Sequence, residues 1–181
     1  MSKPALLDWR LIHTIVLDFD GVFTDNKVWV DQDGKESVRC DRGDGLGFDM
    51  LRSFSLQKGW DLRYFILSKE TNNVVSSRAL KIRVPCVQGV QNKADYLIDY
   101  LKDNKMSSEG LVFVGNDLND LASMRLSGFS FAPSDAHPLV RNEATFVFPQ
   151  NGGEGFVRAF IESLLGIDSM TADELIRSKL I

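Results

Sequence analysis

Two cysteines and two histidines are all that this 181-residue chain carries of the residues that build disulfide frameworks and zinc sites. Cys40 and Cys86 lie far apart and lack metal-ligand spacing, so they are read as reduced thiols of a cytoplasmic protein. His13 precedes an apolar strand and His137 precedes Pro138; neither has a second ligand at metal spacing, and both are assigned structural roles. No apolar run approaches the length needed to cross a bilayer, and Met1 to Arg10 lacks the layout of a signal peptide. Nor is there an excess of positive charge. With 21 Lys and Arg against 25 Asp and Glu, the net charge of −4 argues against a dedicated nucleic-acid binder. Internal repeats and low-complexity segments are also missing. The remainder, 44% hydrophobic and 25% charged, is an ordinary composition with enough chain to bury one sizeable core.

The stretch Ile15-Val16-Leu17-Asp18-Phe19-Asp20-Gly21-Val22-Phe23-Thr24-Asp25 organises the rest. Its apolar start predicts a strand buried on both faces, as in a parallel sheet. The strand ends in two carboxylates two residues apart, on one side of an extended backbone, and Gly21 permits a sharp turn. Ligands of open α/β sheets bind beyond the carboxyl ends of strands. Two close carboxylates repel unless a cation joins them, and Mg²⁺, which takes oxygen ligands and substrate phosphate, suits the pair. One Asp can then attack phosphorus while the other handles the proton of the leaving alcohol and of water. Taken alone, Asp-x-Asp reads more readily as a polar corner between strand and loop.

Val28–Val30 and Glu36–Val38 flank Asp31-Gln32-Asp33-Gly34 and predict a β-hairpin, placed to overhang Asp18 and Asp20. The Gly-rich segment Gly43–Phe48 is neither a dinucleotide fingerprint nor a Walker loop. It is expected to start a helix capped by Asp44 and closed at Gly59. Strands are predicted at Leu62–Leu67, Val84–Val87, Leu111–Val114, Phe129–Phe131 and Phe146–Phe148. Helices are predicted after Asn72, from Lys93, at Pro138–Arg141 and at Phe156–Leu165. Strands alternating with helices imply an α/β fold, a Rossmann-like doubly wound parallel sheet with right-handed crossovers. Residues 1–166 form the domain; 167–181 form a tail with Leu175, Ile176 and Leu180 at helical spacing, able to pack on its own domain or on a neighbour.

Polar groups recur where these elements end. Ser68 closes one strand, Lys93 opens a helix, and Asn116-Asp117-Leu118-Asn119-Asp120 follows another strand. Each has a bland account, as helix cap, solvated charge or capping pair. Together with Asp18 and Asp20 they supply a hydroxyl for phosphate, a balancing lysine and further oxygen ligands.

On these residues the chain resembles the haloacid-dehalogenase-like (HAD-like) phosphohydrolases. Asp18–Asp25 looks like the first motif of that superfamily, and Ser68, Lys93 and Gly115–Asp120 look like the next three. The resemblance implies that Asp18 is the nucleophile and that Asp20 is the general acid/base, its backbone carbonyl also facing Mg²⁺. It makes Ser68 and Lys93 the phosphoryl holders, with Asp18, Asp20, Asn116 and Asp117 around the metal. Over nearly the whole chain the similarity is to the capless branch of 3-deoxy-octulosonate 8-phosphate and nonulosonate 9-phosphate phosphatases. That domain is also found fused to acylneuraminate cytidylyltransferases. Gln88-Gly89-Val90, Ala132–Pro138 and Gly152-Gly153-Glu154-Gly155 support it. The branch implies a homotetramer whose subunits help close each other's sites, with the hairpin at 28–38 as a flap.

The octulosonate branch usually follows its second-motif hydroxyl with Gly-Arg, whereas Ser68 is followed by Lys69-Glu70. Glu70, Arg78 and Lys81 look instead like the sugar-contacting set of the nonulosonate branch. Arg78 and Lys81, three apart on a helix, can hold a carboxylate, and Glu70 can accept from hydroxyls. Asn116 departs from the family's usual acid and removes one negative charge from the metal set. The expected function is thus Mg²⁺-dependent hydrolysis of a nonulosonate 9-phosphate, with the octulosonate 8-phosphate as runner-up. A non-catalytic partner or oligomerisation domain for a cytidylyltransferase is the reading from another class. A signalling receiver domain fits less well, because its phospho-accepting Asp follows a middle strand.

Overall fold

In the computed structural model, which describes residues 7–181, Thr14–Leu17 forms β1, buried at all four positions. The N-terminal reading therefore lies, for residues 1–6, outside the described residues. The other strands of the main sheet are β4 (Arg63–Leu67), β5 (Cys86–Val87), β6 (Leu111–Val114), β7 (Phe129–Ala132) and β8 (Phe146–Val147). They run in the order β5-β4-β1-β6-β7-β8, and every pairing is parallel. After β1 the chain builds the sheet outward on one side, then returns past β1 and builds on the other. β1 is therefore the topological switch point, and a crevice opens beyond its carboxyl end.

Alternation along the strands divides the core. Ile15 and Leu17 face one layer, with α1 (Gly43–Lys58), α2 (Asn73–Ile82) and α6 (Phe156–Leu165). Val16 faces the other, with α3 (Lys93–Asn104), α4 (Leu121–Leu126) and α5 (Pro138–Glu143). α6 shows why the first layer holds. Phe156, Val157, Phe160, Ile161, Leu164 and Leu165 recur at helical spacing and are all buried, each contributing roughly 1.5–3 kcal/mol of apolar burial. The tail forms a 3-10 turn at Ile167–Ser169 and α7 (Ala172–Ser178). Ile167 and Leu180 join the same core, and Gln57 donates to the Ser178 and Lys179 carbonyls. Of the two placements open to the tail, this chain adopts the one against its own domain.

Between β1 and α1 the chain inserts only a hairpin, β2 (Trp29–Val30) paired antiparallel with β3 (Glu36–Ser37). Among the described residues, no larger domain is inserted at this point. Arg39, at the hairpin base, pairs with Asp25 at 3.1 Å and Glu154 at 3.3 Å, tying the flap to the Gly152–Gly155 loop.

One expectation needs correcting. Asp44 does not cap α1, whose N-cap is Arg42 without a side-chain bond. It is buried, and its Oδ1 accepts from Arg158 N at 3.2 Å. Arg158 lies in the first turn of α6, and Gly155 offers that helix no capping side chain. The cap was misassigned because the helix it serves arrives over a hundred residues later. Burial pushes the Asp44 carboxyl up to about 7 from its ordinary 3.8. A raised carboxyl pKa means that the folded state holds the proton longer than the unfolded chain. The stability it confers is complete below about pH 3.8 and is lost as pH rises toward 7. Asp44→Asn, which keeps an acceptor for Arg158, should remove that slope. In urea unfolding, the stability of wild type relative to the variant should fall by about 2.5 kcal/mol between pH 5 and pH 8. A pH-independent difference would place the proton elsewhere.

Candidate active site

Asp18 follows β1 directly and remains tied to the sheet, its N–H donating to the Val114 carbonyl at 2.9 Å. The register pairs Leu17 with Ile66 on one side and with Val114 on the other, so Ser68 and Asn116 lie just beyond the ends of the flanking strands. All three are buried. With Asp20 and Asp117 they line a cleft of about 110 Å³. Gly21 makes the close approach possible: at φ +77°, a Cβ there would lie 1.9 Å from Asn116 Nδ2. On the far side, a Cβ at Gly152 would meet the Gly21 carbonyl at 2.0 Å. The glycine-rich loop thus backs the turn at Asp20–Gly21.

Lys93 is no solvated surface charge. Its Nζ is buried between Asp18 Oδ1 at 2.6 Å and Asp120 Oδ1 at 2.8 Å. Asp120 Oδ2 accepts from the backbone of Asn116 at 2.9 Å and of Asp117 at 3.3 Å. Asp117 and Asp120 also form a capping box for the 3-10 turn Leu118–Asp120. The capping account of this pair is therefore correct, yet Asp120 simultaneously holds the lysine. Burial and the nearby Asp120 push Asp18 up to about 7, against the pull of Lys93. Burial alone would lower the Lys93 pKa, but Asp18 and Asp120 more than reverse it and the lysine stays charged. Burial, with Glu70 and Glu36 adding negative potential, lifts Asp20 to about 6 against Lys93. A carboxyl lifted toward neutrality is better suited to giving a proton to a leaving group than one at the ordinary value.

The donors fit a hard cation. Asp18, Asp20, Asn116 and Asp117 share the cleft, and Asn116 Oδ1 is buried with no hydrogen-bond partner, the kind of orphan an ion would satisfy. The set is all oxygen, which suits Mg²⁺ better than a thiophilic metal. No trio of His, Cys, Asp and Glu among the described residues is arranged to hold a metal; the amide oxygen of Asn116 is a further donor beside the carboxylates of the cleft.

The sugar-contacting trio is not gathered. Glu70 lines the cleft. Arg78 and Lys81 line a separate basic basin of about 470 Å³ with Arg42, Arg52 and Arg83, where Arg78 Nη2 donates to the Asp41 carbonyl at 2.5 Å. Sequence reasoning missed Asn26 and Asn119, both on the cleft wall. Asn26 adopts a left-handed φ of 59° and donates its N–H to Thr24 Oγ1 at 3.2 Å. Its position one residue past the first motif was the available signal.

Comparison with known proteins bears on the family and the fold. A family model for haloacid dehalogenase-like hydrolases matches residues 64–160. A solved structure of a Streptomyces avermitilis protein assigned to HAD-family hydrolases is 38% identical, with a TM-score of 0.83 over 94% of this chain and 95% of that one. The 3-deoxy-D-manno-octulosonate 8-phosphate phosphatase of Salmonella typhi is 29% identical over 174 residues, covering 91% of this chain and 85% of its own. The cobalt-bound structure of the Haemophilus influenzae deoxy-D-mannose-octulosonate 8-phosphate phosphatase is 25% identical, with a TM-score of 0.80 over 93% of this chain and 98% of that one.

Proposed function

Since the chain belongs to the haloacid dehalogenase-like hydrolases, we propose that it hydrolyses a sugar-acid phosphate monoester through an aspartyl-phosphate at Asp18. The observation that carries the proposal is the convergence of Asp18, Asp20, Ser68 and Asn116 in one small cleft at the switch point of the sheet. A carboxylate oxygen of Asp18 attacks phosphorus, the bond to the ester oxygen breaks, and Asp20 gives that oxygen its proton. Asp20, now a carboxylate, takes a proton from water as the water oxygen attacks the phosphoryl group. The bond to Asp18 breaks and inorganic phosphate leaves. Ser68 orients the phosphoryl oxygens, and Lys93 aims Asp18 and favours its charged form against the pull of burial and Asp120. Mg²⁺, held by Asp18, Asp20, Asn116 and Asp117, would supply the charge that lets an anionic nucleophile approach an anionic phosphate.

Two sugar acids compete. Lys69-Glu70 after Ser68, with Arg78 and Lys81, supports a nonulosonate 9-phosphate; the names of the Salmonella and Haemophilus relatives support an octulosonate 8-phosphate. On the first reading, the basic basin of one subunit faces the cleft of another in a homotetramer, which would carry Arg78 and Lys81 to the substrate carboxylate. The flap offers a surface for such assembly, because Val28, Trp29 and Val30 are 50%, 62% and 60% exposed. No described helix is long and apolar enough to cross a membrane.

Mg²⁺-dependent phosphate release from the two sugar phosphates, measured side by side, tests the proposal. The 9-phosphate should show the larger kcat/KM, by about tenfold or more. The reverse order would move the enzyme to the octulosonate branch and keep the mechanism. A folded, metal-saturated protein that hydrolyses neither would point to the non-catalytic partner domain of a cytidylyltransferase.

A further inference from the structure

The cleft that gathers Asp18, Ser68 and Asn116 has room for a phosphoryl group and little else, at about 110 Å³. The leaving group must continue into adjoining space. That space is a pocket of about 260 Å³ which shares Asp20, Asn26 and Glu70 with the cleft. Its other polar walls are Glu36, from β3 of the flap, and Asn72, the N-cap of α2; four valines complete the lining. Among the described residues, no lysine or arginine lines it.

The flap is held over this pocket by its own chain. Asn72 Nδ2 donates to Glu36 Oε2 at 2.7 Å. Asn72 is itself fixed, with its Oδ1 accepting from Val74 N at 3.1 Å and its carbonyl accepting from Gln88 Nε2 at 2.8 Å. The other Glu36 oxygen has no hydrogen-bond donor among the described residues. Two glutamates, two amides and no cation make a lining that attracts hydroxyl donors and repels a carboxylate. Asp20, on the shared wall, lies where the ester oxygen must pass.

We infer that this pocket is the leaving-group subsite for the neutral, hydroxylated part of the substrate, and that Glu36 from the chain's own hairpin is a specificity-determining residue there. The inference rests on the phosphatase reading above. It assigns the two ends of the substrate: the polyol chain next to the phosphate enters between Glu36 and Glu70, and the carboxylate lies outside this pocket. The hairpin thus contributes to the site of the subunit that carries it, whatever it also does toward a neighbour.

The test compares Glu36→Gln and Glu36→Ala with wild type on the preferred sugar-acid phosphate and on p-nitrophenyl phosphate. Lys35→Ala, on the same hairpin, controls for disturbance of the flap. Loss of hydrogen bonds to a charged acceptor should lower kcat/KM for the sugar phosphate about 10- to 100-fold, with Glu36→Ala the more severe. Aryl phosphate hydrolysis should fall far less than sugar-phosphate hydrolysis in both Glu36 variants, so the ratio of the two kcat/KM values moves, and Lys35→Ala should resemble wild type on both substrates. If Glu36→Ala keeps the full preference for the sugar phosphate, or loses equally on both substrates, the subsite is wrong and the phosphatase stands. If wild type hydrolyses the aryl ester and no sugar-acid phosphate, the substrate class fails, and the subsite fails with it.

Discussion

Asp18→Asn should lower phosphatase turnover by about 10³-fold or more while leaving a folded protein. The amide is isosteric, but it cannot attack phosphorus and offers a weaker ligand to Mg²⁺. The fold should survive for an electrostatic reason. Asp18 is buried beside Asp120, and both burial and that neighbour disfavour its charge. Removing the charge relieves a repulsion, and Lys93 keeps Asp120 as a partner at 2.8 Å. Steady-state rates, with circular dichroism and thermal unfolding as controls, decide the matter. Undiminished hydrolysis by the purified variant would remove Asp18 from the nucleophile's role, and a collapsed melting temperature would give it a structural one.

Lys93→Met should act on stability as well as on rate. The lysine is the cation shared by Asp18 and Asp120, with both contacts buried. Methionine matches its length and leaves two carboxylates facing each other without compensation. Breaking a buried charge cluster in this way costs about 3–5 kcal/mol. The loss should be larger at pH 8 than at pH 5, because Asp18, pushed up to about 7, takes up a proton at the lower pH and the repulsion disappears. Urea titrations at the two pH values check this. Equal and small losses would mean that water or rearranged dipoles compensate the pair, and that Lys93 serves substrate alone.

The strand-end residues were legible because the rules that reveal them are local. An apolar run ending in Asp-x-Asp-Gly, another ending in Ser68 and a third entering Gly115-Asn116 each announce a buried parallel strand and its carboxyl end. The caps followed the same logic where donor and acceptor are neighbours, as with Asn72 and Val74. Asp44 failed because its partner is Arg158, a contact that no window of sequence contains. Arg78 and Lys81 were rightly paired, since spacing on a helix is local. Their grouping with Glu70 depended on which way α2 presents its face, and in one chain that face belongs to a different basin.

By itself, then, the sequence determined the order of the strands, the doubly wound class, the polar residues at the strand ends and the hairpin, because periodicity, turn residues and capping act over a few positions. Tertiary structure decided the rest. It placed Lys93 between Asp18 and Asp120, turned Asp44 into the cap of α6, left Asn116 Oδ1 without a partner, and latched Glu36 onto Asn72. Each of these is a meeting of residues from separate elements. Burial then makes charge expensive, so the identity of the partner decides whether a carboxyl is held charged, kept protonated or used as a cap.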